Sequence, residues 1–176
     1  SRAHEYYPDI SPDGRTLVLR YQPESAVVTK VALTRRRQNG WSDPEVVSDS
    51  ANYIRWSPDG TRFAYVTTLG ALVVGSERDQ SRTTVLRPSS VAGGNARNLA
   101  WSRDGRTIFY ISAAPNGDMS YWRLPVSGGR PSLVLALPAD ASARPFCVEF
   151  DAEGRNLYFA LAQDDSDVWM MELTRR

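Results

Sequence analysis

The chain has 176 residues, of which 41% are hydrophobic and 23% charged, as expected of one folded domain rather than of a disordered segment. Its 21 Lys plus Arg nearly balance its 20 Asp plus Glu, and the formal charge of +1 is too small to predict an electrostatic binder of nucleic acid or membrane surfaces. A single cysteine, Cys147, and a single histidine, His4, exclude an internal disulfide framework, a multi-thiolate metal site and most histidine-based catalysis. No apolar run approaches the roughly 18 residues of a membrane span. We therefore expect no cofactor, no metal, no nucleic-acid partner and no direct membrane insertion.

A short motif recurs four times and organises the whole chain. Its copies read Ile-Ser-Pro-Asp-Gly at 10–14, Trp-Ser-Pro-Asp-Gly at 56–60, Trp-Ser-Arg-Asp-Gly at 101–105 and Phe-Asp-Ala-Glu-Gly at 150–154. Successive motif glycines are 45 to 49 residues apart. This period suits four-stranded propeller blades and is too long for ankyrin or tetratricopeptide units.

The motif has the residues of a tight turn between two antiparallel strands. Proline sets φ at the first central position, aspartate accepts hydrogen bonds from the backbone two residues on, and glycine adopts a positive φ. We therefore assign structural roles in the repeat turns to Asp13, Gly14, Asp59, Gly60, Asp104, Gly105 and Gly154. The apolar residue that opens each motif is predicted to pack between blades rather than to stack on a ligand; these residues are Ile10, Trp56, Trp101 and Phe150.

The segments around each motif have the composition of β-strands. A mostly apolar, β-prone run follows each turn, which is typical of strands covered on both faces. Third strands are predicted at 26–33, 71–76, 119–126 and 167–173, and fourth strands near 45–47, 83–86 and 132–137, with none in the fourth repeat. The predicted fold is all-β: one β-propeller segment over residues 1–176, with four blades of four-stranded antiparallel sheet at approximately 5–48, 52–87, 97–138 and 144–174.

The fourth repeat carries a further expectation about the ring. Propellers close their ring and cover their edge strands. We expect the missing outer strand of the last blade to be supplied by residues upstream of Ser1 or by another chain. The chain is thus expected to be the C-terminal part of a larger propeller, the alternative being a complete four-bladed ring.

The Trp-Ser-Pro-Asp-Gly turn and the aliphatic–aromatic strand after it resemble the PD40, or WD40-like, β-propeller repeat of bacteria. Such repeats occur in TolB, in tricorn-type and dipeptidyl-peptidase-like propellers, and behind some bacterial serine/threonine kinase domains. The sequence departs from the pattern at Arg103, in the proline position, and at 151–153, where Asp, Ala and Glu replace Ser, Pro and Asp. The segment 166–173 is similar to the end of kinase-associated propellers. The resemblance implies a ring of about six to eight blades, a binding or sensing role, and a periplasmic or otherwise extracytoplasmic location.

No set of residues has the pattern of a catalytic site. Nucleophilic hydrolysis needs an activated Ser or Cys beside a base, but the chain has no Gly-x-Ser-x-Gly segment and its one imidazole is that of His4. Cys147 lies on a first-strand pattern and is predicted to be a small buried hydrophobe. The acidic cluster at 164–167 lacks the alternating ligands and central glycine of a calcium loop. We therefore predict that this chain is not itself an enzyme.

The propeller topology sorts the charged loops onto two faces. Loops from the second to the third strand, and from the fourth strand to the next blade, share what we call the loop face; the other turns share the turn face. The run Arg35, Arg36 and Arg37 is predicted to be a solvated tip between strands on the turn face. The loop face carries a modest excess of acids, and we expect it to engage a protein or peptide through Glu24, Asp49, Asp118, Asp164 and Asp165.

Three functions from different classes remain open. The one we expect is a non-catalytic protein–protein interaction or sensor module. The alternative is the substrate-gating propeller of a serine peptidase of the prolyl oligopeptidase, dipeptidyl peptidase or tricorn type, whose active residues would lie in a separate hydrolase domain. The third is a structural assembly domain completed by strand exchange with another copy.

Overall fold

The structure is a computed structural model that describes residues 4–22, 29–48, 51–89, 93–113, 118–137, 144–150, 156–162 and 167–172. All regular structure in these residues is β-strand, arranged in four antiparallel sheets that follow one another along the chain as propeller blades. The predicted all-β fold is therefore confirmed. In these ranges no helix has the length and apolarity that a membrane crossing requires.

Each blade is built from strands that are consecutive in sequence. Blade 1 contains β1 (His4–Ile10), β2 (Thr16–Gln22), β3 (Lys30–Arg37), the short β4 (Gly40–Trp41), and β5 (Glu45–Ser48), which pairs with β3. Blade 2 contains β6 (Tyr53–Trp56), β7 (Arg62–Val66), β8 (Leu72–Ser76) and β9 (Arg82–Leu86). Blade 3 contains β10 (Ala96–Trp101), β11 (Thr107–Ala113), β12 (Met119–Pro125) and β13 (Ser132–Ala136). The described strands of blade 4 are β14 (Arg144–Phe150), β15 (Asn156–Ala162) and β16 (Asp167–Glu172).

The hydrophobic core lies between neighbouring blades. Along β7, Phe63 and Tyr65 face blade 1, whereas Ala64 and Val66 face blade 3, because successive side chains of a strand point to opposite sides of the sheet. All four of these side chains are buried. The second strand of blade 2 is thus covered on both faces, as its continuous apolar sequence predicts.

The first strands of the blades lie nearest the propeller axis. Each of β1, β6, β10 and β14 contacts the next in that order. The backbone N–H of Trp56 donates to Oδ2 of Asp9 in blade 1 over 2.6 Å. Nε1 of Trp101 donates to the carbonyl of Arg55 in blade 2 over 3.1 Å. Hydrogen bonds therefore join successive blades at their inner strands.

The apolar residues that open the motifs do not all behave alike. Trp56 and Trp101 are buried, and each packs against the preceding blade as predicted. Ile10 differs from this expectation in the described residues, where it is 48% exposed. The side chain of Phe150 lies outside the described residues.

The motif turns of blades 1, 2 and 3 share one hydrogen-bond network. In each, the motif serine donates from Oγ to Oδ1 of the motif aspartate over 2.5 to 2.6 Å. The same Oδ1 accepts the backbone N–H two residues on at 3.0 Å. The glycine φ values are 64 to 70°, the left-handed region that closes such a turn. These contacts involve Asp13, Asp59, Asp104, Gly14, Gly60 and Gly105, whereas Gly154 lies outside the described residues.

The turns also join neighbouring blades. Nη2 of Arg62, in blade 2, donates to the carbonyl of Gly105 in blade 3 over 2.9 Å. The guanidinium carbon of Arg62 lies 5.5 Å from the centre of the Trp101 ring, within the range of a cation–π interaction. Arg62 therefore links two blades.

The third strand of blade 1 differs from its prediction. It spans Lys30–Arg37 instead of 26–33, and residues 26–28 lie outside the described residues. Arg35 pairs with Thr16 of β2, while Arg36 and Arg37 pair with Trp41 and Gly40 of β4. The predicted loop is strand instead, because Arg35 pairs with β2 while Arg36 and Arg37 pair with β4. The predicted solvent exposure is confirmed for Arg36 and Arg37. The other predicted third and fourth strands agree with the structure to within one residue at each end.

Candidate functional site

A cleft opens on the loop face where the inner ends of blades 1, 2 and 3 meet. Its volume is about 610 Å³, within the range of roughly 300–1,000 Å³ that is usual for ligand sites. The residues that line it come from all three blades, and we call them together the loop-face cleft: Arg20, Asn52, Tyr53, Thr67, Thr68, Leu69, Gly70, Asn95, Ala96 and Arg97.

A β-bulge places Arg97 at this cleft. The pairing of β10 with β11 steps from Ala96–Ser112 to Asn98–Ile111, so Arg97 is the extra residue. Its side chain is exposed, whereas Ala96 and Asn98 on either side are buried. Bulges redirect single side chains and are frequent beside binding sites. The bulge thus turns one guanidinium out of an otherwise buried strand.

Equivalent positions of neighbouring blades contribute different chemistry. Asn52 and Arg97 each lie four residues before a motif tryptophan, and both line the cleft. Because the inner strands surround the axis, the same repeat position recurs around the opening. Blade 2 therefore contributes the carboxamide of Asn52 to the cleft, and blade 3 contributes the guanidinium of Arg97 from the corresponding repeat position.

The wall of the cleft is a tightly bonded turn between β7 and β8. The backbone N–H of Gly70 donates to the carbonyl of Thr67 over 2.9 Å, and that of Ala71 donates to Thr67 Oγ1 over 3.0 Å. The carbonyl of Gly70 accepts the N–H of Ala96 in blade 3 over 2.9 Å. The turn is thus fixed to two blades, and it holds Leu69 at its tip with 79% of that side chain exposed.

The charge of the described lining is positive. It contains the guanidiniums of Arg20 and Arg97 and no carboxylate. Asn52 and Asn95 add carboxamides, and Tyr53 with the two threonines adds hydroxyls, all of which donate hydrogen bonds. Guanidiniums form short, charge-assisted hydrogen bonds with carboxylates and other oxyanions. The cleft is therefore suited to bind a negatively charged group next to an apolar one, which Leu69 can contact.

Of the five acidic residues predicted to bind a partner, only Asp118 falls in the described residues. It is half-buried just before β12 and does not line the cleft. Glu24, Asp49, Asp164 and Asp165 lie outside the described residues. Sequence reasoning missed Arg20, which ends up beside residues of two later repeats. In the sequence, Asn52 and Arg97 are marked only by being polar residues near the start of a predicted inner strand.

Other reactive side chains serve the structure where they are described. In the described ranges, no three His, Cys, Asp or Glu side chains are grouped as a metal site requires. Burial raises the pKa of Tyr110, and its hydroxyl donates to the carbonyl of Gly93 over 2.6 Å. That tyrosine therefore fastens the connection between blades 2 and 3.

Comparison with known proteins finds proteins of similar structure but none of similar sequence. No protein-family model and no curated protein sequence matches the chain. A protein assigned as TolB from Agrobacterium tumefaciens superposes with a TM-score of 0.70 at 19% identity, over 93% of this chain and 60% of that one. TolB from Acinetobacter baumannii gives 0.70 at 14% identity, over 94% and 40%. A gluconolactonase from Xanthomonas campestris gives 0.67 at 17% identity, over 97% and 59%.

These similarities concern architecture. The chain spans 40 to 60% of the length of the three solved structures. They include an enzyme as well as TolB proteins, and at such low identity a shared fold does not carry a shared function. The chain has a TolB-like β-propeller fold.

Proposed function

We propose that this propeller is a non-catalytic interaction module that binds a protein or peptide through its loop face. The observation that carries the proposal is the loop-face cleft, in which a rigid turn presents Leu69 beside the guanidinium of Arg97. Arginines and exposed apolar side chains on a fixed scaffold are typical of the anchors in protein interfaces. The acidic loop residues predicted from sequence remain part of the proposed surface, and Asp118 is the one that falls in the described residues.

A binding role suits the chemistry of the cleft better than a catalytic one. Its described lining has amides, hydroxyls and guanidiniums but no His, Cys or carboxylate that could act as a general base or an activated nucleophile. The whole sequence has one histidine and no Gly-x-Ser-x-Gly segment. The gating alternative places its catalytic residues in a separate hydrolase domain, and no described residue of the cleft favours it.

The same proposal includes the repeat family of the module and its location in the cell. We assign the chain to the PD40, or WD40-like, repeats of bacteria and to a periplasmic or otherwise extracytoplasmic position. The recurring Ser-Pro-Asp-Gly turn and the TolB-like fold support both assignments. In the described part of blade 4, β16 pairs with β15 alone, which supports completion of that blade by a strand from upstream residues or from another chain.

The proposal is tested by selecting ligands and mapping where they bind. Peptides are selected from a random displayed library on the purified chain, and their affinities are measured by isothermal titration calorimetry. Leu69→Asp and Arg97→Ala are each expected to weaken binding about tenfold or more, which corresponds to about 1.4 kcal/mol. Arg103→Ala removes an exposed arginine from a turn-face loop and is the matched control, expected to bind as the wild type does.

Two results would contradict the proposal. If every selected peptide binds both loop-face variants as tightly as the wild type, the loop face is not the binding surface. If mass spectrometry shows that the chain cleaves or otherwise converts the peptide, the module is not a non-catalytic one. Thermal unfolding of each variant verifies that exposed positions 69 and 97 have been changed without loss of the fold.

A further inference from the structure

The hairpin formed by the end of β3 and by β4 extends beyond the part of blade 1 in which β1, β2, β3 and β5 pair. We call residues 35–41 the arginine hairpin. Its base is held by Arg35, whose Nε donates to Glu77 of blade 2 over 2.6 Å and whose Nη1 donates to Glu45 over 2.7 Å. The backbone N–H of Arg36 donates to the carbonyl of Arg15 over 2.7 Å. The hairpin is thereby anchored to two blades, so little conformational freedom is left to lose when a partner binds.

The anchoring leaves two arginines of the hairpin exposed. Arg36 and Arg37 are solvent-exposed, and within the described residues neither forms an ion pair. Together with Arg15, Thr16, Arg35 and Gln38 they line a turn-face cleft of about 500 Å³, whose described lining contains no carboxylate. Because Arg35 is paired with Glu45 and Glu77, Arg36 and Arg37 are the exposed cations of the hairpin that an anionic partner can reach.

An aromatic residue is paired with one of these arginines across the hairpin. Trp41 is the ladder partner of Arg36 in the β3–β4 pair, and directly opposite residues project from the same face of a sheet. Its side chain is 41% exposed. Tryptophan and arginine are the residue types most enriched among the energetically dominant positions of protein interfaces. The hairpin therefore offers an apolar contact and a charge contact within one residue pair.

We propose that the arginine hairpin docks an acidic peptide segment of a partner protein, at a site on the turn face that is independent of the loop-face cleft. Carboxylates of the segment pair with Arg36 and Arg37, and an apolar side chain covers Trp41. The acidic residues Asp43 and Glu45 follow the hairpin directly. They limit the positive surface to one short patch, which fits a peptide segment better than the continuous basic track that a nucleic-acid backbone needs.

The proposal is tested with a defined peptide. The probe is a rhodamine-labelled peptide of glutamates around one leucine, and its binding to the whole chain is followed by fluorescence anisotropy at low and at physiological salt. The wild type is expected to bind it, more weakly as salt rises. The double variant Arg36→Gln with Arg37→Gln should lower the affinity about tenfold or more, and Trp41→Ala should lower it several-fold. A double variant of Arg103→Gln with Arg130→Gln removes the same charge from other exposed turn-face positions and should bind nearly as the wild type does.

Several outcomes would overturn the proposal. The wild type fails to bind the glutamate peptide, or it binds the matched glutamine peptide equally well. The two double variants lose equal affinity, which would mean that net charge alone attracts the peptide. A labelled oligothymidylate binds the hairpin more tightly than the peptide does, which would indicate a nucleic-acid site instead. Leu69→Asp, which alters the loop-face cleft, is expected to leave binding of the glutamate peptide unchanged, so this test and that of the loop face give separate answers.

Discussion

Gly93, in the connection between blades 2 and 3, has no room for a side chain. Its φ is 78°, and a Cβ added there would lie 2.7 Å from Cδ2 of Trp122. The carbonyl of the same residue accepts the Tyr110 hydroxyl. At Gly93 the backbone of the connection therefore packs directly on the ring of Trp122 and is hydrogen-bonded to Tyr110. The lack of a side chain at this one residue allows the connection to approach blade 3 so closely.

We predict that Gly93→Ala lowers the free energy of unfolding by about 2 to 4 kcal/mol, because it combines a left-handed backbone with a steric overlap. Gly128→Ala is the matched control. Gly128 also has a positive φ, 88°, but nothing lies within 4 Å of an added Cβ. Gly128→Ala is therefore expected to lower the free energy of unfolding only by the backbone contribution, about 1 to 2 kcal/mol. Urea unfolding measures both values. Equal losses would show that Trp122 moves aside without cost.

At the scale of the element, the motif turn depends on its serine. Ser57 is fully buried, accepts the backbone N–H of Arg62 over 3.0 Å and donates to Asp59. Ser57→Ala removes the hydrogen-bond partner of that N–H at a fully buried side-chain position and is expected to cost about 1 to 3 kcal/mol of unfolding free energy. Ser102 makes the equivalent bonds in blade 3 but is only half-buried, so water can replace its hydroxyl. Ser102→Ala should therefore cost less in the same urea measurement, and a reversed order would contradict this reasoning.

The motif turns and most strands could be predicted because each depends on residues close together in sequence. The φ of a turn glycine and the bonds of its aspartate are local properties. The extension of β3 was not predictable in this way, since three successive arginines do not have the composition of a strand and their partner β4 is only two residues long. The bulge at Arg97 is set by the pairing of β10 with β11 and has no glycine to mark it.

At the scale of the whole molecule, packing between blades forms the hydrophobic core and also brings together the residues of the loop-face cleft. One core cluster joins blades 1 and 2 around Trp56, and another joins blades 2 and 3 around Trp101. The repeat period predicts that such interfaces exist, because each sheet needs both faces covered. It does not predict which side chains meet at their ends. Arg20 and Arg97 line the same cleft although they are separated by most of two repeats, so the candidate site follows from the assembled blades and not from residue spacing.

The network of turn aspartates, repeated in three blades, predicts that the stability of the whole molecule falls in acid. Hydrogen bonds from the motif serine and then from the backbone lower the pKa of Asp13 and of Asp104. Burial acts to raise the pKa of Asp59, but hydrogen bonds from Ser57 and Thr61 outweigh it, and the net pKa is lowered. In the loop between β8 and β9, hydrogen bonds from the backbone and hydroxyl of Ser81 lower the pKa of Asp79 to about 2.

Each of these carboxylates has a lower pKa in the folded chain than in the unfolded chain, where it is about 3.9. Their contribution to stability is therefore fully present above roughly pH 5 and is lost as the pH falls through the folded-state pKa values. We predict that the free energy of unfolding, measured in urea, changes little through these groups between about pH 7 and 5 and falls steadily from about pH 4 to 2. Asp79→Asn removes one of the four titrations and should make that fall shallower, whereas an unchanged slope would show that Asp79 does not titrate with folding.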